Sequence, residues 1–168
     1  MISNKKGNTL VELIMVMAIL TLFGVTIFVL ISTGSDTQKS IISKKDAQVN
    51  ARIALSYVNV RIRQNDKLGN IEVLPNSVNG NDSIFIKDFE YGQSLWIFWD
   101  NGCLYEQMTS EGETVGLNKA YYIADIEGFV TGYDQEDGSI TNAVEYLYDG
   151  KEKSLSSTIF LRSGSDDL

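Results

Sequence analysis

Nineteen consecutive uncharged residues, from Leu13 to Ile31, constrain this 168-residue chain more than any other feature. Only Thr21, Gly24 and Thr26 interrupt their apolar character. A helix that crosses the hydrocarbon core of a bilayer needs roughly 20 apolar residues, each adding 1.5 Å. The run is long enough, so it predicts a membrane helix near the N-terminus.

Two ordinary classes of protein begin with such a run. A cleaved secretory signal has a shorter apolar core of about 7–15 residues and then a small-residue cleavage site. Ser32-Thr33-Gly34 imitates that site poorly, and the product would be a soluble domain starting near Ser35. A signal-anchored extracellular receptor, binding protein or enzyme, oriented by Lys5 and Lys6, would keep Met1. Neither class explains Glu12, because an acidic side chain within a spanning helix is costly.

The residues around Glu12 carry a more specific pattern. Lys5-Lys6-Gly7, then Asn8-Thr9-Leu10-Val11-Glu12 and the apolar run, resemble the type IV prepilin signal. That signal combines a short basic leader, a glycine at the cut, a glutamate one helical turn later and a membrane helix. The resemblance implies cleavage between Gly7 and Asn8 by a prepilin peptidase, followed by methylation of the new amine. Asn8 stands where the family usually has phenylalanine.

The resemblance also implies a function. A member of the superfamily of type IV pilins and type II secretion pseudopilins is a filament subunit, not an enzyme, and needs no cofactor. Its partners are the prepilin peptidase, other pilin or pseudopilin subunits, the membrane assembly machinery and, before assembly, lipid. The protein would cross the cytoplasmic membrane once, with its N-terminus inside and its head outside, before joining a cell-surface filament. Glu12 would pair with the N-terminal amine of a neighbouring subunit.

Beyond the apolar run, the helical period continues. Apolar residues recur at steps of three and four, at Ala47, Ala51, Ala54 or Leu55, Val58 and Ile62. The opposite side carries Lys45, Arg52, Asn59 and Arg63. This spacing predicts an amphipathic stem helix with one buried stripe. We expect it to end at Leu68, with Gly69 as its C-terminal cap.

The C-terminal part is typical of strands separated by Gly, Asn and Asp turns. The predicted strands are Ser83–Lys87, Gln93–Trp99, Cys103–Gln107, Tyr121–Val130, Ala143–Tyr148 and Thr158–Arg162, with a hairpin turn at Asp100-Asn101-Gly102. An antiparallel sheet with one face on the stem helix follows, which is an α+β, pilin-like fold. The expected organisation is a cleaved leader (1–7), a transmembrane assembly helix (8–31), a stem helix (32–69) and an extracellular head (70–168).

The order of these strands suggests a second resemblance. An aromatic strand, Asp100-Asn101-Gly102, a Leu-Tyr return, Ile123-Ala124-Asp125-Ile126-Glu127-Gly128-Phe129 and a last strand ending at Arg162 look like minor pilins of the W type and J-type pseudopilins. In those families the subunit primes or tips the filament. Any meander with glycine turns would share the same order, and that alternative stays open.

Charge is distributed unevenly along the chain. Residues 70–168 hold 18 acidic and 5 basic side chains, a net charge of −13, whereas residues 8–69 hold 4 and 7, a net charge of +3. The acidic head argues against nucleic-acid binding, whose affinity comes mostly from Lys and Arg on phosphates. One hypothesis is that the stem of one subunit meets the head of another; a solvated acidic surface is the alternative.

Composition leaves few candidates for other chemistry. With no histidine and one cysteine, the chain cannot form a Ser-His-Asp triad or an internal disulfide. Cys103 is expected to be a small apolar residue in a strand. The aromatic segment 91–105 is expected to fill the core, with an adhesive or sugar-stacking surface as the alternative. Asp134-Gln135-Glu136-Asp137-Gly138 is interpreted as a solvated turn, with calcium as the alternative. No carboxylate pair is singled out for glycoside hydrolysis.

Overall fold

The computed structural model describes residues 10–67, 69–90 and 92–162. It contains one long helix followed by two antiparallel meanders, which confirms the predicted α+β, pilin-like fold. The elements are α1 (Leu10–Gln64), β1 (Ile71–Val78), β2 (Asn81–Glu90), β3 (Gln93–Asp100), β4 (Cys103–Thr109), a 3₁₀ turn (Leu117–Lys119), β5 (Tyr121–Asp125), β6 (Gly128–Asp134), β7 (Ser139–Tyr148) and β8 (Lys151–Phe160). The chain divides into two compact units, residues 1–43 and 44–168.

The second unit contains the hydrophobic core, and the predicted stem stripe forms one wall of it. Ala51, Ala54, Val58 and Ile62 are completely buried in one cluster with side chains from both sheets. Of the two alternatives at one turn of the stripe, Ala54 is fully buried, while Leu55 is half-buried at the edge of the cluster. A small side chain at the centre of the stripe lets the strands approach the helix closely.

The helix ends at Gln64, four residues before the predicted end at Leu68, which lies outside the described residues. The cause is Asn65, whose Nδ2 donates to the Arg61 carbonyl at 2.8 Å and satisfies a group that the last helical turn leaves free. Gly69 has a left-handed φ of +70° but lies beyond the end of the helix, in the turn that leads to β1. It is therefore not the helix cap.

The first sheet has the order β1-β2-β3-β4-β5. Its first strand was not predicted, because Pro75 and Asn76 look like loop residues. The pairing of β1 with β2 shifts between Leu74 and Val78, and Asn76 there has a φ of +50°. A bulge at an edge strand accommodates both residues, since an edge proline has no ladder hydrogen bond to lose.

The predicted strand Tyr121–Val130 is two strands in two sheets. β5 pairs with β4, while β6 belongs to the second sheet, whose order is β6-β7-β8. The switch occurs between neighbouring residues: the Ile126 N–H donates to Gly102 O at 2.9 Å, and the Glu127 N–H donates to Glu145 O at 2.8 Å. The Trp99 indole N–H fixes this crossover by donating to the Ile126 carbonyl at 3.0 Å. The head therefore has two sheets on the stem, where the sequence predicted one.

A polar chain ties the second sheet to the stem helix. The Thr131 hydroxyl donates to Asn142 Oδ1 at 2.8 Å, Asn142 Nδ2 donates to Asn59 Oδ1 at 3.5 Å, and Asn59 Nδ2 donates to Ser157 Oγ at 3.0 Å. Asn142 is completely buried. Because burying an unpaired amide is costly, this chain favours one register of β7 against α1. It also explains why Asn59, predicted on the solvent side, is half-buried.

Candidate functional site

The apolar half of α1 is the segment whose chemistry differs most from that of a soluble protein. Residues 10–34 form a helix long and apolar enough to cross a membrane, as judged from length and composition. The hydroxyls of Thr21, Thr26 and Thr33 donate to carbonyls of the preceding helical turn at 2.8–2.9 Å. The hydroxyl of each of these three threonines is thus hydrogen-bonded within the helix, as an apolar solvent requires.

Glu12 is the one ionisable side chain in this span. It lies in the first turn of α1 and is exposed. With the residues described from position 10 onward it forms no hydrogen bond or ion pair. The amide groups of a first helical turn favour a nearby negative charge, but they do not replace a counter-ion in lipid. Within the described residues, the geometry therefore leaves the Glu12 carboxylate available to a further group.

The predicted cleavage site, Gly7 and Asn8, lies outside the described residues. The cut and the methylation of Asn8 therefore stay predictions about this sequence, and only Glu12 of the predicted site can be placed on the structure.

A second feature, not singled out from the sequence, lies on the stem helix within residues 44–168. Val49, Ile53 and Val60 share one stripe of α1 and are 43–47% exposed. Steps of four and seven residues place them on the side opposite Ala51 and Val58. The helical spacing of these three residues is visible in the sequence, but the buried stripe shows the same spacing more strongly. The stem thus offers an apolar surface to solvent as well as to its own core.

A polar cluster links α1 to the first sheet. Tyr57 donates its hydroxyl hydrogen to Glu106, while Arg61 Nε donates to the Tyr57 oxygen at 2.7 Å. Arg61 Nη2 also reaches Glu106 at 3.2 Å, and its guanidinium lies 5.0 Å from the Phe89 ring centre. Burial, and next the hydrogen bond to Glu106, raise the pKa of Tyr57 well above its ordinary range. Tyr57 therefore stays protonated and acts as a structural link.

The aromatic segment is divided between the two faces of its strand. Trp99 packs against the core, together with the neighbouring aliphatic residues on its side of β3. Trp96, in contrast, lies on the other face and contacts Phe85 with ring centres 4.7 Å apart. Phe98 is completely buried but is not part of the main cluster. The expectation that the aromatic segment fills the core is therefore met on one face of β3, the face that carries Trp99. Tyr91 lies outside the described residues.

The remaining candidates occupy ordinary positions. Cys103 is half-buried in β4, and its Sγ donates to Asp125 Oδ1 at 3.3 Å. Burial first, and then this hydrogen bond, raise the pKa of the thiol, so little of the reactive thiolate exists at neutral pH. Asp134 is the last residue of β6 and Glu136 lies in the exposed turn that follows, and the Asp134 carboxylate accepts the Glu136 N–H at 2.9 Å. No group of three metal-ligating side chains gathers in the described part of the chain.

Two family models match this chain. The model described as the prokaryotic N-terminal methylation motif covers residues 2–32, which include the basic leader, Gly7, Glu12 and the apolar run. This motif is the prepilin-type signal; it implies processing by a prepilin peptidase and, with the apolar helix, a membrane-anchored, pilin-like protein. No curated protein and no solved structure matches the chain significantly.

The second model is described as a domain of unknown function, DUF4860, and matches residues 49–145. The matched region begins in the stem helix, continues through the first sheet and the crossover, and ends in β7. It covers more than half of the chain. The chain therefore belongs to the DUF4860 family, with a prepilin-type methylation motif at its N-terminus.

Proposed function

We propose that this protein is a structural subunit of a type IV pilus or a related pseudopilus. It is cut after Gly7, held in the cytoplasmic membrane by residues 8–31, and extracted into a filament whose core is made of such helices. Its role is structural, not enzymatic. Before assembly its partners are lipid and the membrane assembly machinery, and in the filament they are other pilin or pseudopilin subunits.

The observation that carries this proposal is the position of Glu12. It is the one charge in a span of 25 residues, and it has no partner among the described residues. Cleavage after Gly7 would create a positive amine at Asn8. The helix direction points that amine away from Glu12 of the same chain, so a neighbouring subunit is the natural donor. A paired charge in a low dielectric is strongly favoured over an unpaired one.

The exposed stripe of Val49, Ile53 and Val60 supports the same role. These residues belong to the second unit, beyond the apolar run, where water and not lipid is the solvent. Each leaves nearly half of its surface uncovered, on a helix whose other side is already packed. A subunit whose stem is enclosed by neighbouring stems would bury this surface, and burial is worth about 25 cal/mol per Å².

We further propose that the subunit is present in few copies and primes or tips the filament. The support is the resemblance of the segment from Leu95 to Arg162 to minor pilins of the W type and to J-type pseudopilins. A subunit of this kind starts assembly and is not repeated along the shaft.

The experiment is to shear filaments from cells and to locate the protein by immunogold labelling. We expect the protein in the sheared fraction, with label at filament ends, and fewer filaments after deletion of the gene. Label along every shaft would identify a major subunit instead. Protein that stays in the membrane fraction while filaments are sheared normally would contradict the filament role and favour a signal-anchored binding protein.

A further inference from the structure

A groove lies between the stem helix and the last strand, within residues 44–168. Its walls are formed by Arg52, Leu55 and Arg63 of α1 and by Leu155 and Ser157 of β8. We call it the stem groove. The floor is apolar at Leu55 and Leu155, which are half-buried and pack against the core. The groove is thus a rigid feature of the folded head, because both of its walls are anchored in the core.

One wall of the stem groove is an open sheet edge. β8 pairs with β7 alone, and in the described residues no backbone hydrogen bond from Lys151–Phe160 leaves its other edge. An edge strand presents a row of unpaired N–H and C=O groups that another extended chain can satisfy. Addition of a strand to such an edge is a recurrent way for proteins to bind peptides.

The charge of the groove is opposite to that of the head. Arg52 and Arg63 form no ion pair within the described residues, and none of the described lining residues is acidic. Lys45 lies on the same stripe of α1, and strand alternation places Lys153 on the same face of β8 as Leu155. Of these four cations only Lys153 belongs to residues 70–168, whose net charge is −13; the other three lie on the stem helix, so the groove is a basic strip beside an acidic head. Elsewhere in the head, Lys87 and Lys119 are paired with carboxylates.

We propose that the stem groove binds an extended, acidic segment of a neighbouring filament subunit. The open edge of β8 supplies backbone hydrogen bonds, the apolar floor accepts one row of side chains, and Arg52 and Arg63 hold carboxylates. Lipid headgroups and nucleic acid could pair with the arginines, but they could not continue the hydrogen bonding of the sheet edge. The open edge therefore favours a protein strand as the ligand. The identity of the partner as a filament subunit rests on the proposed function; the acidic, extended character does not.

The positions of the arginines define the segment further. Arg52 and Arg63 are 11 residues apart, which is about 16 Å along a helix at 1.5 Å per residue. An added strand advances by about 3.4 Å per residue and alternates its faces. Carboxylates four or six residues apart on one face therefore match the two arginines, given the length of an arginine side chain.

The test is photo-crosslinking in cells with the full-length chain. A p-benzoylphenylalanine residue in place of Ser56, an exposed residue that lines the groove, should give an adduct that mass spectrometry maps to an acidic, extended segment of a filament subunit. The matched control places the same residue at Asn118, an exposed residue of the 3₁₀ turn between β4 and β5, away from the groove and from the β8 edge, and should give no such adduct. R52E should reduce the adduct several-fold, whereas K67E, the same charge change away from the groove, should not.

The outcomes separate this inference from the proposed function. If the protein is recovered in sheared filaments but Ser56 gives no adduct, or an R52E-insensitive one, the groove proposal is wrong while the filament role stands. If the adduct maps to lipid or to a non-acidic segment, the proposal is also wrong. If the adduct maps to an acidic strand of a protein outside any filament, the stated partner is wrong, and recovery of the protein in sheared filaments decides the filament role separately.

Discussion

Both units of this protein contain part of α1, but the side chains of the helix are exposed in the first unit and partly buried in the second. Between residues 10 and 42 every described side chain is exposed, including aliphatic residues such as Leu22 and Leu30. In residues 44–168 the helix is amphipathic, and Val58 and Ile62 are completely buried under two sheets. The first segment is complete only when lipid or other subunits surround it, whereas the second supplies its own core. Substitutions in the first should therefore affect assembly, and substitutions in the second should affect folding.

The largest effect is expected from Glu12→Leu. Loss of the one charge in the span should abolish entry into filaments while leaving membrane insertion, processing and the melting temperature of the head unchanged. Quantitative blotting of sheared and membrane fractions measures this, with Val11→Leu as a control that changes a neighbouring apolar residue. Glu12→Leu protein in sheared filaments at the wild-type yield would show that the carboxylate does not guide assembly.

Val58 and Val60 lie on different faces of the stem helix, so substitutions at these two positions allow the faces to be compared. Val58 is 0% exposed and Val60 is 47% exposed. Val58→Asp would bury a charge without a partner and should cost about 3–5 kcal/mol, enough to unfold most of the head. Val60→Asp should change folding stability by less than about 0.5 kcal/mol. Thermal unfolding of the full chain in detergent, followed by circular dichroism, measures both; similar melting temperatures for the two variants would refute the packing.

A smaller loss of stability is expected when the polar chain between the second sheet and the stem is broken. Asn142→Ala leaves the Thr131 hydroxyl without its acceptor and Asn59 Oδ1 without its donor, which should cost about 1–3 kcal/mol. Thr141→Ala, the next position on the exposed face of the same strand, should cost no more than about 0.5 kcal/mol. Equal losses in denaturant unfolding would mean that the chain does not select the register of β7.

The smallest effect concerns a turn. Asn101 and Gly102 have φ values of +48° and +83°, as the two central residues of a tight hairpin require. Gly102→Ala places a side chain in the left-handed region and should cost about 1–2 kcal/mol. Gly132→Ala, in β6 where an added Cβ meets nothing within 4 Å, should leave stability unchanged or slightly higher. The opposite order of the two melting temperatures would contradict this account of the turn.

Much of the fold was predictable because its signals are local. The apolar run, the stripe from Ala51 to Ile62 and the Asp100-Asn101-Gly102 turn each depend on residues close in sequence. Two further turns, at Asn79-Gly80 and Asp149-Gly150, have the same left-handed geometry and were not recognised, although their residue types carry the same signal. The bounds of the helix were less predictable, because Asn65 ends it through a side-chain bond.

What the sequence could not reveal depends on distant partners. The segment Tyr121–Val130 looks like one continuous strand in the sequence, but its division between two sheets is fixed by Trp99, Gly102 and Glu145. β1 is a strand because β2 pairs with it around a bulge. The same holds for the site: Glu12 was identified from its spacing to Gly7, and the spacing of the exposed valine stripe was also present in the sequence, while the stem groove required the folded head.

The proposed filament role depends on one predicted covalent event, the removal of residues 1–7. Intact-mass and N-terminal peptide analysis of the membrane-bound protein, purified from its own cells, tests it most directly. We expect a mature chain that begins at Asn8 with a methylated amine, and an uncut precursor for Gly7→Val, since a bulky side chain blocks the peptidase. A protein that retains Met1, or one that begins near Ser35, would contradict it.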